Sequence, residues 1–239
     1  MQFNEKWLRS FANPSLDSDE LAHALTMAGL EVEAKWPVAD SFSKVVVAKI
    51  LTAEKHPDAD RLQVCKVDAG FGDPLQVVCG AANARAGLHV ACALVGAELP
   101  GISIKQAKVR GVESFGMLCS AKELGISKES SGIIELPQDA PIGQDVRDYL
   151  ELDDQIMVLK LTPNRSDCLS IAGIARDVAA ITGTELSRTK IEPAALSTQE
   201  QKKVSVLARD ACPRYTGRMI TNVRATAPTP EWMVRRLER

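Results

Sequence analysis

The feature that most restricts the fold is a series of short β-rich segments between Lys44 and Ser120, separated by glycine-containing turns. Leu62–Val67 alternates with the period of two that is typical of a half-buried strand. Gly111 and Gly116 interrupt the last segment and predict bends or bulges. The five segments are Val45–Leu51, Leu62–Val67, Gln76–Cys79, His89–Leu94 and Val109–Ser120. Five such strands predict a small Greek-key β-barrel, which we place at residues 40–150.

A helical pattern precedes the predicted barrel. Asp17 or Ser18 can cap this helix, Gly29 ends it, and Leu30 can fold back onto it. Its predicted apolar face is Leu21, Leu25 and Ala28.

A strand and a helix follow the barrel. The strand is predicted at Gln155–Leu161, and the helix carries Ile174, Val178 and Ile181 on one face and ends at Gly183. Neither flank has enough apolar surface to fold alone. We therefore predict an α+β fold, in which the barrel is inserted into a small discontinuous domain made of residues 1–39 and 151–192. Residues 193–203 are polar and alanine-rich, as in a linker.

The composition limits how the chain could bind nucleic acid. Its 29 Lys and Arg residues are balanced by 31 Asp and Glu residues, and only 4% of its residues are aromatic. Proteins that hold RNA mainly by charge or by base stacking are richer in these residue types. Any RNA contact must therefore come from a local basic patch and be sensitive to salt.

The sequence shows no catalytic, metal or membrane motif. The six cysteines form no Cys-x-x-Cys pair and have no histidine at zinc-finger spacing, so we expect reduced, buried thiols. There is no phosphate-binding glycine loop, no acidic metal cluster, no leader-like N-terminus and no apolar run of membrane-spanning length. We expect a cytoplasmic chain that has no catalytic residues, binds no metal or cofactor itself and does not contact a membrane.

Two polar motifs remain as candidate sites. His56–Leu62 combines a histidine with two aspartates, which suggests a metal or acid–base site, but a tight turn explains the Pro-Asp pair better. Lys105, Lys108 and Arg110 are interleaved with apolar residues, so Lys108 and Arg110 would share one face of a strand. That face could follow a phosphate backbone, or it could be a solvated edge that resists aggregation. The residues alone do not decide between these two interpretations.

Four sequence blocks, in order along the chain, resemble the OB-fold tRNA-binding domain. They are Ala53–Asp68, Val77–Asn83, Lys105–Ser114 and Gly116–Ser120. Two further segments are similar to the bacterial phenylalanyl-tRNA synthetase beta subunit. Thr162–Asp177 resembles the end of its first domain, and Cys212–Arg218 resembles the start of its B3/B4-type editing domain. The resemblance implies that the predicted barrel is an OB-fold and that residues 204–239 begin an editing domain.

The resemblance also implies a function and a set of RNA-binding residues. It implies a non-catalytic tRNA-binding and assembly region, with tRNAPhe and the synthetase alpha subunit as partners in an α2β2 holoenzyme. ATP and Mg²⁺ would belong to the holoenzyme. The turn Asn164–Asp167 would be structural, with Ser166 or Asp167 as a helix cap. Met117 is equally well explained as a core residue. The implied tRNA-binding residues are Lys55, Arg61, Asn83, Arg85, Lys105, Lys108, Arg110, Ser114 and Met117.

Two alternative functions stay open at this point. The chain could be a free-standing tRNA-binding protein, against which Thr162–Asp177 and the editing-domain start argue. The barrel could also serve as a protein-interaction scaffold, which the near-neutral charge and the scarcity of aromatic residues allow.

Overall fold

A computed structural model describes residues 1–128, 131–187 and 190–239. The strands are β1 (Gln2–Asn4), β2 (Glu31–Pro37), β3 (Val45–His56), β4 (Ala59–Asp68), β5 (Leu75–Cys79), β6 (His89–Leu94), β7 (Glu98–Leu99), β8 (Ile102–Ser103), β9 (Ala107–Val109), β10 (Val112–Ser114), β11 (Gly116–Leu118), β12 (Glu135–Leu136) and β13 (Gln155–Lys160). The helices are α1 (Glu5–Arg9), α2 (Ser18–Met27), α3 (Val146–Tyr149), α4 (Ile171–Thr182) and α5 (Glu231–Glu238), with a 3₁₀ turn at Ser166–Cys168.

The segments that come directly before and directly after the barrel share one sheet and one core. Strand β13 lies between β1 and β2 in a three-stranded antiparallel sheet. Helices α1, α2 and α4 contribute apolar side chains to the same buried cluster, which includes Phe3, Leu8, Leu21, Leu25, Met157, Leu159, Ile174 and Val178. Because residues before 40 and after 150 bury each other's apolar surface, neither part has to form a core alone.

Helix α2 begins and ends as its sequence predicts. The Asp17 carboxylate accepts hydrogen bonds from the backbone N–H groups of Asp19 and Glu20, and the Glu20 side chain accepts from the Asp17 N–H, which completes a capping box. Gly29 has a φ of +90°, and the N–H of the buried Leu30 donates to the Leu25 carbonyl. Ala28, predicted on the apolar face, is instead exposed at the C-cap.

Helix α4 begins later than predicted. Its N-cap is Ser170, whose hydroxyl accepts from the Gly173 N–H, and not Ser166 or Asp167. Those two residues lie in the separate 3₁₀ turn, whose N-cap is Arg165. Ile174 and Val178 are buried as predicted, whereas Ile181 is 43% exposed. Gly183 ends the helix in the left-handed conformation, with a φ of +70°.

The central segment forms the predicted antiparallel barrel, with the short β12 as a sixth strand that pairs with β6. Its strand order is β11–β6–β3–β4–β5, and the long β3 pairs with β6 through Val45–Lys49 and with β4 through Lys49–His56. The Phe115 N–H donates to the Gln76 carbonyl at 2.8 Å, which joins the last strand region to β5 and nearly closes the barrel. The α+β fold class with a barrel of the OB type is therefore confirmed.

Gly116 provides the bend predicted in the last barrel segment. Its φ is +154°, and a Cβ atom at this position would lie 2.7 Å from the Ala93 carbonyl oxygen. A glycine is needed here because the backbone of β11 approaches that of β6 closely.

The end of the described chain contains no strand between residues 190 and 239. Only α5 is regular there, and most side chains of residues 193–230 are exposed. A strand needs a hydrogen-bonded neighbour, and none of the described strands pairs with this segment.

The cysteines agree with the expected reduced thiols. All six are free, five are buried and Cys212 is half-buried. Burial raises the pKa of the Cys92 thiol to about 12 and that of Cys65 to about 11, so both are protonated at neutral pH. No helix in the described ranges has the length and hydropathy needed to cross a bilayer.

Candidate nucleic-acid interface

Two β-hairpins carry four of the predicted RNA-contacting cations. Lys55 is near the end of β3 and Arg61 near the start of β4, on either side of the turn at Pro57 and Asp58. Lys108 lies in β9, and Arg110 lies in the turn between β9 and β10. All four side chains are exposed.

The β9–β10 turn does not place Lys108 and Arg110 on one strand face. Strand β9 ends at Val109, which pairs with Val112, and Arg110 and Gly111 form the two-residue connection. Both have positive φ angles, +49° and +88°, as in the tight hairpin turns that match strand twist. Arg110 therefore lies at the tip of the hairpin. The alternation of side chains along β9 ends at Val109, one residue before Arg110.

His56 joins the two hairpins. Its ring is only 5% exposed, and its Nε2 atom lies 3.1 Å from the Val109 carbonyl oxygen. Its Nδ1 atom accepts a hydrogen bond from the Asp58 N–H at 3.1 Å. One side chain thus closes the β3–β4 turn and contacts the tip of β9–β10. The metal or acid–base alternative finds no support here, because both ring nitrogens are used in backbone hydrogen bonds.

The charges on the two hairpins differ. The stretch 105–114 is net positive, because it contains Lys105, Lys108 and Arg110 but only one carboxylate, that of Glu113. The tip of the β3–β4 hairpin, residues 54–61, instead carries acidic side chains at positions 54, 58 and 60 beside Lys55 and Arg61. Within the described ranges, no ion pair is formed by the five predicted cations, which are Lys55, Arg61, Lys105, Lys108 and Arg110. The stretch 105–110 is therefore the stronger candidate for phosphate contact.

Asn83 and Arg85 lie together but bind a protein carboxylate. The Arg85 guanidinium makes two hydrogen bonds, of 2.9 and 2.8 Å, to the two Glu135 carboxylate oxygens. The Asn83 amide donates to the Ile133 carbonyl and to Glu135, and its oxygen accepts from the Ile133 N–H. Hydrogen bonds from Arg85 and Asn83 lower the pKa of the Glu135 carboxyl. These groups join the loop after β5 to β12, and Asn83 has little remaining capacity for RNA.

Ser114 and Met117 face the interior of the protein. The Ser114 side chain is buried, and its hydroxyl accepts from the Val78 N–H and donates to the Gly116 carbonyl, both at 3.0 Å. Met117 is half-buried against the barrel core and pairs with Ala93. We interpret both residues as parts of the barrel closure, because the Ser114 hydroxyl is hydrogen-bonded within the protein and Met117 packs against the barrel core.

A third ionisable cluster lies between the 3₁₀ turn and α4. The donor atoms of Asp167, Cys168 and Asp177 lie within 4.8 Å of one another. The Arg165 guanidinium donates to both carboxylates, which it neutralises. Its hydrogen bond to Asp167 is the main reason that the pKa of this carboxyl falls to about 2. The cluster therefore acts as an ion-pair network that attaches the turn to the helix.

The sequence did not predict two of the partners, Glu135 as the partner of Arg85 and Val109 as the partner of His56. Glu135 is 50 residues from Arg85, and its only local signal is its position in a short apolar stretch. Val109 contributes a backbone carbonyl, which leaves no signal in a sequence.

Comparison with known proteins agrees with this geometry. Residues 45–145 match the family described as putative tRNA binding domain. The matched range contains the barrel and the exposed Lys55, Arg61, Lys105, Lys108 and Arg110.

The whole chain also matches longer proteins. It is 59% identical to the phenylalanine–tRNA ligase beta subunit of Aromatoleum aromaticum and 60% identical to that of Thiobacillus denitrificans, in each case over all of this chain and 30% or 31% of the relative. The beta subunit of Dechloromonas aromatica is 59% identical, again over all of this chain and 30% of that protein. The chain is homologous over its full length to phenylalanine–tRNA ligase beta subunits, which confirms the predicted resemblance. It spans less than a third of the length of these relatives.

Proposed function

We propose that this chain is a non-catalytic tRNA-binding and assembly region that serves the phenylalanylation of tRNA. The observation that carries the proposal is the match of residues 45–145 to the tRNA-binding domain family, on a barrel whose hairpins present exposed cations. Lys105, Lys108 and Arg110 are the proposed principal phosphate contacts, with Lys55 and Arg61 as supporting contacts. Since the hairpins carry no exposed aromatic side chain, the proposed recognition is of backbone shape rather than base sequence.

The proposed partners follow from the relatives. A beta subunit implies an alpha subunit, so we propose that the parent protein assembles with it and acts on tRNAPhe. ATP and Mg²⁺ would be used by that holoenzyme and not by this chain. We propose that residues 1–39 and 151–192 form the discontinuous α+β domain and that residues 40–150 form the OB-fold domain. Residues 193–203 would be a linker, and residues 204–239 would begin an editing domain.

We propose a supporting role, and not the RNA contact that the resemblance implies, for four residues: Asn83, Arg85, Ser114 and Met117. Their side chains are bound to other parts of the barrel, so they would support the RNA-contacting hairpins without touching RNA.

A scaffold role is the second candidate function. The feature that favours it is the pairing of Arg85 with Glu135, which removes one predicted cation from the RNA-binding set. In this case the barrel would contact another protein domain, and tRNA would bind elsewhere.

A tRNA titration of the 239-residue chain separates the two functions. The test variant replaces Lys105, Lys108 and Arg110 with alanine, and the control variant replaces the exposed Lys6, Lys160 and Arg176 of the α+β part, with the same change in charge. Loss of three phosphate contacts should weaken binding by about two orders of magnitude at ~0.1 M salt, whereas the control should bind like the parent. Equal effects of both variants, or no binding of the parent chain at low salt, would reject the RNA-contacting role.

A further inference from the structure

The tip of the β9–β10 hairpin has one hydrogen-bonded anchor to the remainder of the barrel. The base of the hairpin is held to β5, where the Gln76 side chain donates to the Glu113 carbonyl and the Phe115 N–H donates to the Gln76 carbonyl. Within the described ranges, the contact between His56 and the Val109 carbonyl is the only hydrogen bond that connects residues 108–111 to another element.

The hydrogen-bond partners of His56 define its tautomer. The Asp58 backbone N–H can only donate, so Nδ1 must be the unprotonated acceptor. The Val109 carbonyl can only accept, so Nε2 must carry the proton. The neutral Nε2–H form satisfies both partners at once, and the other neutral tautomer satisfies neither.

The contact between His56 and Val109 lies next to the predicted RNA-binding cations of both hairpins. His56 directly follows Lys55, and Val109 lies between Lys108 and Arg110. Its ring therefore connects the backbone of one cation-bearing hairpin to that of the other. Without this contact, the cations at the β9–β10 tip would be attached only through the base of their hairpin and would have to be ordered when RNA binds.

We propose that His56 is a positioning residue for tRNA binding, which holds the Lys108 and Arg110 tip against the β3–β4 hairpin so that both hairpins present one preordered cationic surface. This inference rests on the proposed function. The residue contacts no RNA itself, because its ring is buried and both of its nitrogens are used within the protein.

A pair of matched substitutions tests this role. In His56→Asn the side-chain oxygen can replace Nδ1 as acceptor for the Asp58 N–H, but the donor to Val109 is lost. In His56→Gln the side-chain amide can reach the Val109 carbonyl, but the turn acceptor is lost. Each variant removes one hydrogen bond and leaves the charge of the neutral ring unchanged, so the two should be destabilised to a similar extent in thermal unfolding.

The two variants should differ in tRNA binding. We expect His56→Asn to bind roughly tenfold more weakly than the parent chain, because the tip must then be ordered on binding, and His56→Gln to bind within about threefold of it. The salt dependence of the dissociation constant should be the same in all three proteins, since the number of phosphate contacts does not change. A two-dimensional ¹H–¹⁵N spectrum of the imidazole should show the Nε2–H tautomer in the parent chain.

The inference and the proposed function can fail separately. If the parent chain binds tRNA and the Lys105/Lys108/Arg110 variant weakens binding, but His56→Asn and His56→Gln bind equally well, the positioning role of His56 is wrong. A lower salt dependence in His56→Asn would also overturn it, because the variant would then have lost contacts rather than their preorganisation. If the parent chain does not bind tRNA, the proposed function itself fails.

Discussion

Replacing Ser114 with alanine should destabilise the barrel without affecting tRNA binding by the folded protein. The hydroxyl makes two hydrogen bonds of 3.0 Å, one from the Val78 N–H and one to the Gly116 carbonyl, at a site that is only 4% exposed. These bonds lie where β10 and β11 meet β5. The substitution therefore leaves a backbone donor and a backbone carbonyl without this partner at the barrel closure.

The expected loss follows from this geometry. Leaving a fully buried backbone N–H unsatisfied costs about 1–3 kcal/mol, and the half-buried Val78 N–H should cost about 1 kcal/mol, at the lower end of that range. For a cooperative unit of about 100 residues, each kcal/mol corresponds to a decrease in Tm of roughly 4–8 °C. The midpoint of urea unfolding should fall accordingly, with an unchanged slope.

The assay combines urea unfolding with tRNA titration well below the unfolding transition. Ser166→Ala serves as the control, because Ser166 is exposed and makes no side-chain hydrogen bond within the described residues. It should change stability by less than about 0.5 kcal/mol. If Ser114→Ala instead weakens tRNA binding while unfolding like the parent chain, the Ser114 hydroxyl contacts RNA and our placement of it at the barrel closure is refuted.

Three further predictions follow from local geometry. Arg110→Asn should weaken tRNA binding yet raise the free energy of unfolding by up to about 1 kcal/mol, because asparagine tolerates a positive φ better than arginine; a parallel loss of stability in urea unfolding would contradict this. Asp17→Ala removes the acceptor for the Asp19 and Glu20 N–H groups and should cost about 1 kcal/mol in the same assay, with an unchanged stability as the contrary result. The pKa of Asp167 is lowered to about 2, so its ion pair with Arg165 stabilises the fold above about pH 4 and is lost as the pH falls towards 2. The stability difference between the parent chain and Arg165→Gln should therefore shrink over that range, and a constant difference would contradict the ion pair.

The sequence predicted the elements whose signals are local. The capping box of α2 lies within four residues, and the period of two at Leu62–Val67 lies within the single strand β4. Gly116 could be assigned to a bend because glycine interrupts an otherwise continuous β-rich pattern. Local backbone geometry and amphipathic patterns are sufficient for such elements.

The side-chain roles that depend on distant partners could not be predicted. Ser114 binds Val78, 36 residues away, and Asn83 binds Ile133, 50 residues away. Arg85 was correctly placed on a loop, but its charge is neutralised by a carboxylate that only the folded barrel brings near. Arg110 follows the alternation of a strand in the sequence, yet the glycine after it turns the chain there.

The central claim is that five cations, four on the two hairpins and the fifth at position 105, contact tRNA phosphates. The most direct test is the slope of log K against log salt concentration for the 239-residue chain and for its Lys105/Lys108/Arg110→Ala variant. Five contacts predict a slope of about −4 for the parent chain, and two remaining contacts predict about −1.5 for the variant. Equal slopes for the two proteins would show that Lys105, Lys108 and Arg110 do not contact the RNA and would contradict the account.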